Sequence, residues 1–133
     1  MRLPGVLQPD GWPRPSGYSN GVLAQGSQVF IAGQVGWNPR SGEFESAQLV
    51  DQVAQALRNV LAVLAEANGR PEHIARMTWY LTSRAEYVAH LKEIGAVYRD
   101  VLGKHFPAMT AVAVSALVEP RAKVEIEATA VIP

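Results

Sequence analysis

The chain has 133 residues, with 12 Lys and Arg balanced by 12 Asp and Glu, and no cysteine. That length suits one domain with a proper core. Zero net charge without a basic block argues against nucleic-acid binding, and the lack of cysteine excludes a disulfide framework, a thiol nucleophile and a cysteine metal site.

Residues 1–17 contain Pro4, Pro9, Pro13 and Pro15 and read as an extended arm or edge segment rather than a helix. They contain no apolar run of the kind a signal peptide or membrane span needs, so a soluble, cytoplasmic protein is expected. Ser19 to Ala24 is a short strand candidate, Gln25-Gly26-Ser27 a hairpin-type turn, and Gln28 to Val35 the strand that follows. Gly36 to Gly42 is a loop. A helix begins near Ser46: Leu49, Val53, Ala56, Leu57, Val60, Leu61 and Leu64 recur at helical spacing, and Gly69 and Pro71 end it. Ala75, Met77, Trp79 and Leu81 alternate with Arg76, Thr78 and Tyr80, which predicts a strand. Ser83, with Glu86 three residues later, is a capping box. It opens a second helix whose stripe runs Tyr87, Leu91, Ile94, Tyr98, Val101 and Leu102 until Gly103.

Pro107 biases the chain away from helix. A strand-like alternation then runs from Ala111 to Leu117, and Glu119-Pro120-Arg121 is a turn. Lys123, Glu125, Glu127 and Thr129 alternate with Val124, Ile126, Ala128 and Ala130 in a final strand. The order β-β-α-β-α-β-β predicts one α+β domain over residues 1–133, a mixed sheet with two helices on one face. The other face carries Phe30, Ala32 and Tyr80, and a bare, partly apolar face calls for a partner.

Several stretches together resemble the RidA/YjgF family of enamine/imine deaminases. Gly17-Tyr18-Ser19-Asn20-Gly21-Val22 is similar to the family's Pro-Tyr-Ser-Gln-Ala-Val, and Val29 to Gln34 to its strand ending Ser-Gly-Gln. Gln55-Ala56-Leu57-Arg58-Asn59-Val60 resembles its first-helix signature. Pro107-Ala108-Met109-Thr110 matches the Pro-Ala-Arg-(Ser/Thr) turn, and Val124-Glu125-Ile126-Glu127-Ala128 the Glu-Ile-Glu strand. The resemblance implies a RidA/chorismate-mutase-like fold, homotrimers whose sheets form a central barrel, and small-molecule clefts between subunits. It implies hydrolysis of imines or enamines to a 2-keto acid and ammonia, with no cofactor and no metal.

Transferred residue by residue, the resemblance makes Glu125 the catalytic carboxylate that positions or activates water. A solvated strand carboxylate is the alternative. Tyr18 becomes a pocket residue. Gly33 admits a ligand to the backbone, or else marks a bulge or close strand packing. Trp37 is a pocket wall or an interface residue, and Met109 and Thr110 belong to the substrate-binding turn. Met109 departs from the family. The arginine there grips a substrate carboxylate through a planar, bidentate donor, and a thioether cannot do so. Arg14 and Arg121 are the candidate replacements. None of His73, His90 and His105 has metal-like spacing, and only His105 approaches the expected cleft. Three functions stay open: a hydrolase of imine-type compounds lacking the usual carboxylate anchor, a non-catalytic trimeric ligand-binding or protein-interaction module, and a ribonuclease or translation inhibitor, which the neutral charge disfavours.

Overall fold

The computed structural model describes residues 5–133, so the first four residues of the expected arm lie outside it. Ten elements follow in order: β1 (Gly5–Leu7), β2 (Gly21–Leu23), β3 (Ser27–Val35), α1 (Leu49–Ala65), a 3₁₀ turn (Pro71–His73), β4 (Ile74–Leu81), α2 (Arg84–Ala89), α3 (Leu91–Leu102), β5 (Ala108–Ala113) and β6 (Val124–Ile132). The main sheet has the order β3-β6-β4-β5. Only β4 and β5 pair in parallel, and β6 runs antiparallel to both of its neighbours. The predicted α+β class and mixed sheet are present.

Period-2 alternation decides the two faces. Met77, Trp79 and Leu81 on β4 and Val124, Ile126, Ala128 and Ala130 on β6 are buried. They meet Leu49, Val53, Leu57, Val60 and Leu64 from α1, and Ile94, Tyr98 and Leu102 from α3. Each such leucine stabilises the fold by roughly 1.5–3 kcal/mol relative to leaving it in water. Among the described residues, no helix covers the opposite face. Phe30 is 75% exposed there.

Four local expectations need correction. The turn at Gln25-Gly26-Ser27 does not make a hairpin, because β2 pairs with β1 in a separate two-stranded sheet. Gly26 serves closure instead: at φ +148 a Cβ would overlap the backbone of Ile132, so only glycine lets the start of β3 approach the end of β6. The second helix is two helices, broken at His90 (φ −116, ψ 18). Its cap is half a capping box. Ser83 accepts from the Glu86 N–H at 3.1 Å, while the Glu86 carboxylate turns to Lys123 Nζ at 2.7 Å. The strand expected over 111–117 lies at 108–113 instead, because parallel pairing with β4 begins directly after Pro107. Val114 then bonds back to the Leu81 carbonyl and the chain leaves the sheet.

Buried polar groups tie loops to α1. Asn59 donates to the Val35 and Trp37 carbonyls at 3.1 and 3.0 Å. Gln52 donates to the Ser46 and Arg121 carbonyls and accepts from the Lys123 N–H.

Candidate functional site

The segment around Tyr18 is stitched to the start of β5. The Ser19 N–H donates to the Pro107 carbonyl at 3.0 Å, and the Ser19 hydroxyl donates to the Phe106 carbonyl. Ser19 is 7% exposed. This pairing, 87 residues apart in sequence, brings Tyr18 beside Met109. Met109 sits on β5 opposite Met77 and packs against the core, so its side chain lies on the helix side of the sheet.

Tyr18 and Met109 line one cleft of about 670 Å³, between β5 and α2–α3. Five aromatic side chains, Tyr18, Trp79, Tyr87, Tyr98 and Phe106, line it. Tyr98 stacks on Phe106 with ring centroids 5.5 Å apart, and Trp79 lies 6.4 Å from both Tyr98 and Tyr87. The Tyr98 hydroxyl donates to the His105 carbonyl, and the His105 ring bonds the Ile74 carbonyl at 2.7 Å. His105 therefore anchors the lead into β5 to β4. His73 takes the Arg70 N–H at the 3₁₀ turn, and His90 bonds the Glu86 carbonyl at the helix break.

Burial pushes the phenols of Tyr98 and Tyr87 up, Tyr98 most strongly. A phenol whose folded pKa exceeds its unfolded value of about 10 adds stability that is complete below that pH and is lost as pH rises through the folded pKa. Tyr98→Phe should therefore be less stable at neutral pH, by about 1 kcal/mol for the lost hydrogen bond. It should also lose less stability than wild type between pH 9 and 11. Denaturant titrations across that range test this, and parallel pH profiles would count against it.

Glu125 lies on the other face. It alternates with the buried Val124 and Ile126 and pairs in register with Tyr80. Its carboxylate rests against β3 at a bulge, where the register shifts between Ile31 and Gln34. Gly33 stands in that bulge, and a Cβ there would overlap the Glu125 carboxylate. Glycine at 33 thus serves both as the bulge residue and as the space that holds this carboxylate. Among the described residues, no hydrogen bond or ion pair engages the Glu125 carboxylate. Its neighbour Glu127 accepts from the Tyr80 hydroxyl at 2.5 Å, and that bond, ahead of burial, raises the Tyr80 pKa.

The expected site residues therefore divide into three places. Tyr18 and Met109 share the aromatic cleft. Gly33 and Glu125 meet on the helix-free face, and Thr110, which pairs with Thr78, is on that face too. Trp37 lies apart in the loop after β3, against Phe44 at 5.9 Å. Of the two candidate arginines, neither lines the cleft; the Arg121 guanidinium lies 5.8 Å from the Phe44 ring centroid. The sequence reading missed a third. Arg99 of α3 lines the cleft itself. Its signal was available, because Leu91, Gly95 and Arg99 are four residues apart and share a helix face. Among the described residues no cluster of His, Asp and Glu suits a metal ion, and no helix is long and apolar enough to cross a membrane.

A sequence profile of the family described as Endoribonuclease L-PSP matches residues 13–132. A RutC family protein of Aquifex aeolicus is 38% identical over 124 residues, 90% of this chain and 92% of its own. A human protein named 2-iminobutanoate/2-iminopropanoate deaminase is 28% identical over 130 residues, covering 98% of this chain and 85% of its own. The crystal structure of the Rid-family protein YyfB from Yersinia pestis, described as of unknown function, superposes with a TM-score of 0.84 at 32% identity, over 97% of this chain and 98% of its own.

Proposed function

The chain belongs to the Endoribonuclease L-PSP family, the RidA/YjgF proteins, and on that footing we propose that it hydrolyses imine- or enamine-type compounds at clefts between the subunits of a homotrimer. The observation that carries this reading is the Glu125 carboxylate. It is seated against the Gly33 bulge on a face open to a partner and, among the described residues, is engaged by no other group. A carboxylate so held can orient a water and take its proton as that water adds to a C=N carbon. The human relative's name supports the reaction class.

Within one chain the Tyr18–Met109 cleft and Glu125 lie on opposite faces of the sheet. A site containing both takes the cleft from one subunit and the carboxylate from another. The exposed Phe30, with Arg76 and Thr78 on the same face, is the surface such packing would cover.

The test pairs assembly with turnover. Light scattering should give three times the monomer mass. Glu125→Gln should remain trimeric and lose about 10²-fold or more in kcat on an imine substrate with little change in KM, as expected when a general base is removed. A monomer at all concentrations, or undiminished turnover by the variant, would overturn the proposal. One observation favours a second reading, a binding module without turnover: Met109 offers the cleft apolar contact and no donor. A wild-type protein that binds ligand and never turns it over would support that reading.

A further inference from the structure

The aromatic cleft contains two polar features that point to a particular ligand. Among its lining residues the only charged side chain is Arg99, and no carboxylate lines it. Among the described residues Arg99 makes no ion pair. Its guanidinium folds back over Gly95, one turn earlier, where an added Cβ would meet Nη1 at 3.4 Å. The bare glycine leaves the guanidinium close to the helix surface at the mouth of the cleft. Trp79, 1% exposed, is among the residues that line it. Its indole Nε1 is the one buried side-chain nitrogen or oxygen among the described residues without a hydrogen-bond partner. A buried N–H without an acceptor is costly, and a ligand that brings an acceptor relieves that cost.

We propose that this cleft binds an anionic aromatic compound, a flat ring bearing a carboxylate. The ring lies among Tyr18, Tyr98, Phe106 and Met109, the carboxylate is gripped by Arg99, and an acceptor atom of the ligand takes the Trp79 N–H. Arg99 thus supplies the charge that Met109 cannot, from α3 rather than from β5. Because it sits at the mouth, it selects ligands long enough to span the cleft. A three-carbon acid reaching Arg99 would leave the aromatic part of the cleft empty. Tyr87 meets Trp79 edge-on and lies on α2, none of whose six residues is fully buried. For the ligand to reach the indole, the Tyr87 ring, which lies edge-on to Trp79 and is only half-buried, would have to move aside. The inference deepens the proposed function by naming a ligand class. It rests on that proposal only for the use of the same cleft.

Calorimetry with phenylpyruvate, pyruvate and uncharged phenylacetone, on wild type and Arg99→Gln, tests the assignment, together with the indole N–H resonances of labelled protein. Trp79→Phe assigns the Trp79 signal among the three tryptophans. Phenylpyruvate should bind saturably and at least about tenfold more tightly than either comparison compound, and Arg99→Gln should lose about tenfold or more. The Trp79 indole signal should move on binding. Equal affinity for pyruvate, an unaffected Arg99→Gln, or an unmoved Trp79 signal would each overturn the assignment. Arg99 is exposed, so the variant is expected to fold, and its circular dichroism checks this. If phenylpyruvate binds as described while imines are not hydrolysed, the hydrolytic reading fails and this one stands. If imines are hydrolysed at Glu125 but phenylpyruvate does not bind, the reverse holds.

Discussion

Met109→Arg is expected to bind pyruvate about 10- to 10²-fold more tightly than wild type, while the wild-type protein hydrolyses 2-aminoacrylate with little or no acceleration. Charge-assisted hydrogen bonds contribute roughly 1.5–3 kcal/mol each, and a guanidinium forks onto a carboxylate with two of them. Part of that gain is offset by desolvating the new arginine and by its proximity to Arg99, which lines the same cleft. An internal ion pair with Glu125 of the same chain does not compete, because that carboxylate lies across the sheet. Calorimetric titration at low salt reads the first effect, and a coupled keto-acid assay the second. A folded variant that binds no better than wild type would remove Met109 from the ligand's surroundings. Rates on 2-aminoacrylate matching arginine-containing relatives would show that Arg99 already replaces the missing group for small substrates.

Gln52→Glu, although near-isosteric, should be strongly destabilising, and its cost should depend on pH. Gln52 is 1% exposed and its side chain makes three hydrogen bonds. A carboxylate can still accept from the Lys123 N–H. It cannot donate to the carbonyls of Ser46 and Arg121, and it faces their oxygens as a buried charge. Two lost donors leave carbonyls unsatisfied at about 1–3 kcal/mol each, before the cost of burying the charge is added. Burial and the carbonyl oxygens both favour the neutral acid, so the folded pKa of the new residue rises above its unfolded value of about 4.3. The variant's stability relative to wild type is then best below that pH and falls as pH rises through the folded pKa. Denaturant midpoints at pH 4 and pH 8 should differ in that direction. A variant as stable as wild type at pH 8 would mean that water reaches the site.

Much of the architecture was legible in the chain. The 3.6-residue stripe from Leu49 to Leu64 and the period-2 alternation from Lys123 to Thr129 state which side chains need burial, and burial of apolar area dominates the energy of the core. The break at His90 escaped that reading because Tyr87, Leu91, Ile94 and Tyr98 keep helical spacing through it. A stripe reports which face is apolar, not whether every backbone turn is closed. The start of β5 escaped it because Pro107 marks where helix must stop, whereas the first ladder partner is chosen by β4. The turn at Gly26 was visible, but its purpose was not. A glycine's freedom is local, and the Ile132 backbone it accommodates is at the other end of the chain.

For the site, the sequence by itself determined the chemical inventory: a neutral, cysteine-free chain with Tyr18, Gly33, Glu125 and an apolar Met109 in motif positions. Tertiary structure alone decided how these group together. Alternation assigns a residue to one of two faces, but which face of each strand meets the helices depends on the register between strands, a long-range quantity. That register puts Met109 with the helices and Glu125 away from them. Ser19 and Pro107 draw Tyr18 to Met109 across most of the chain. The fold of α3 over β5 then carries Arg99, which no motif marks, to the edge of the same cleft.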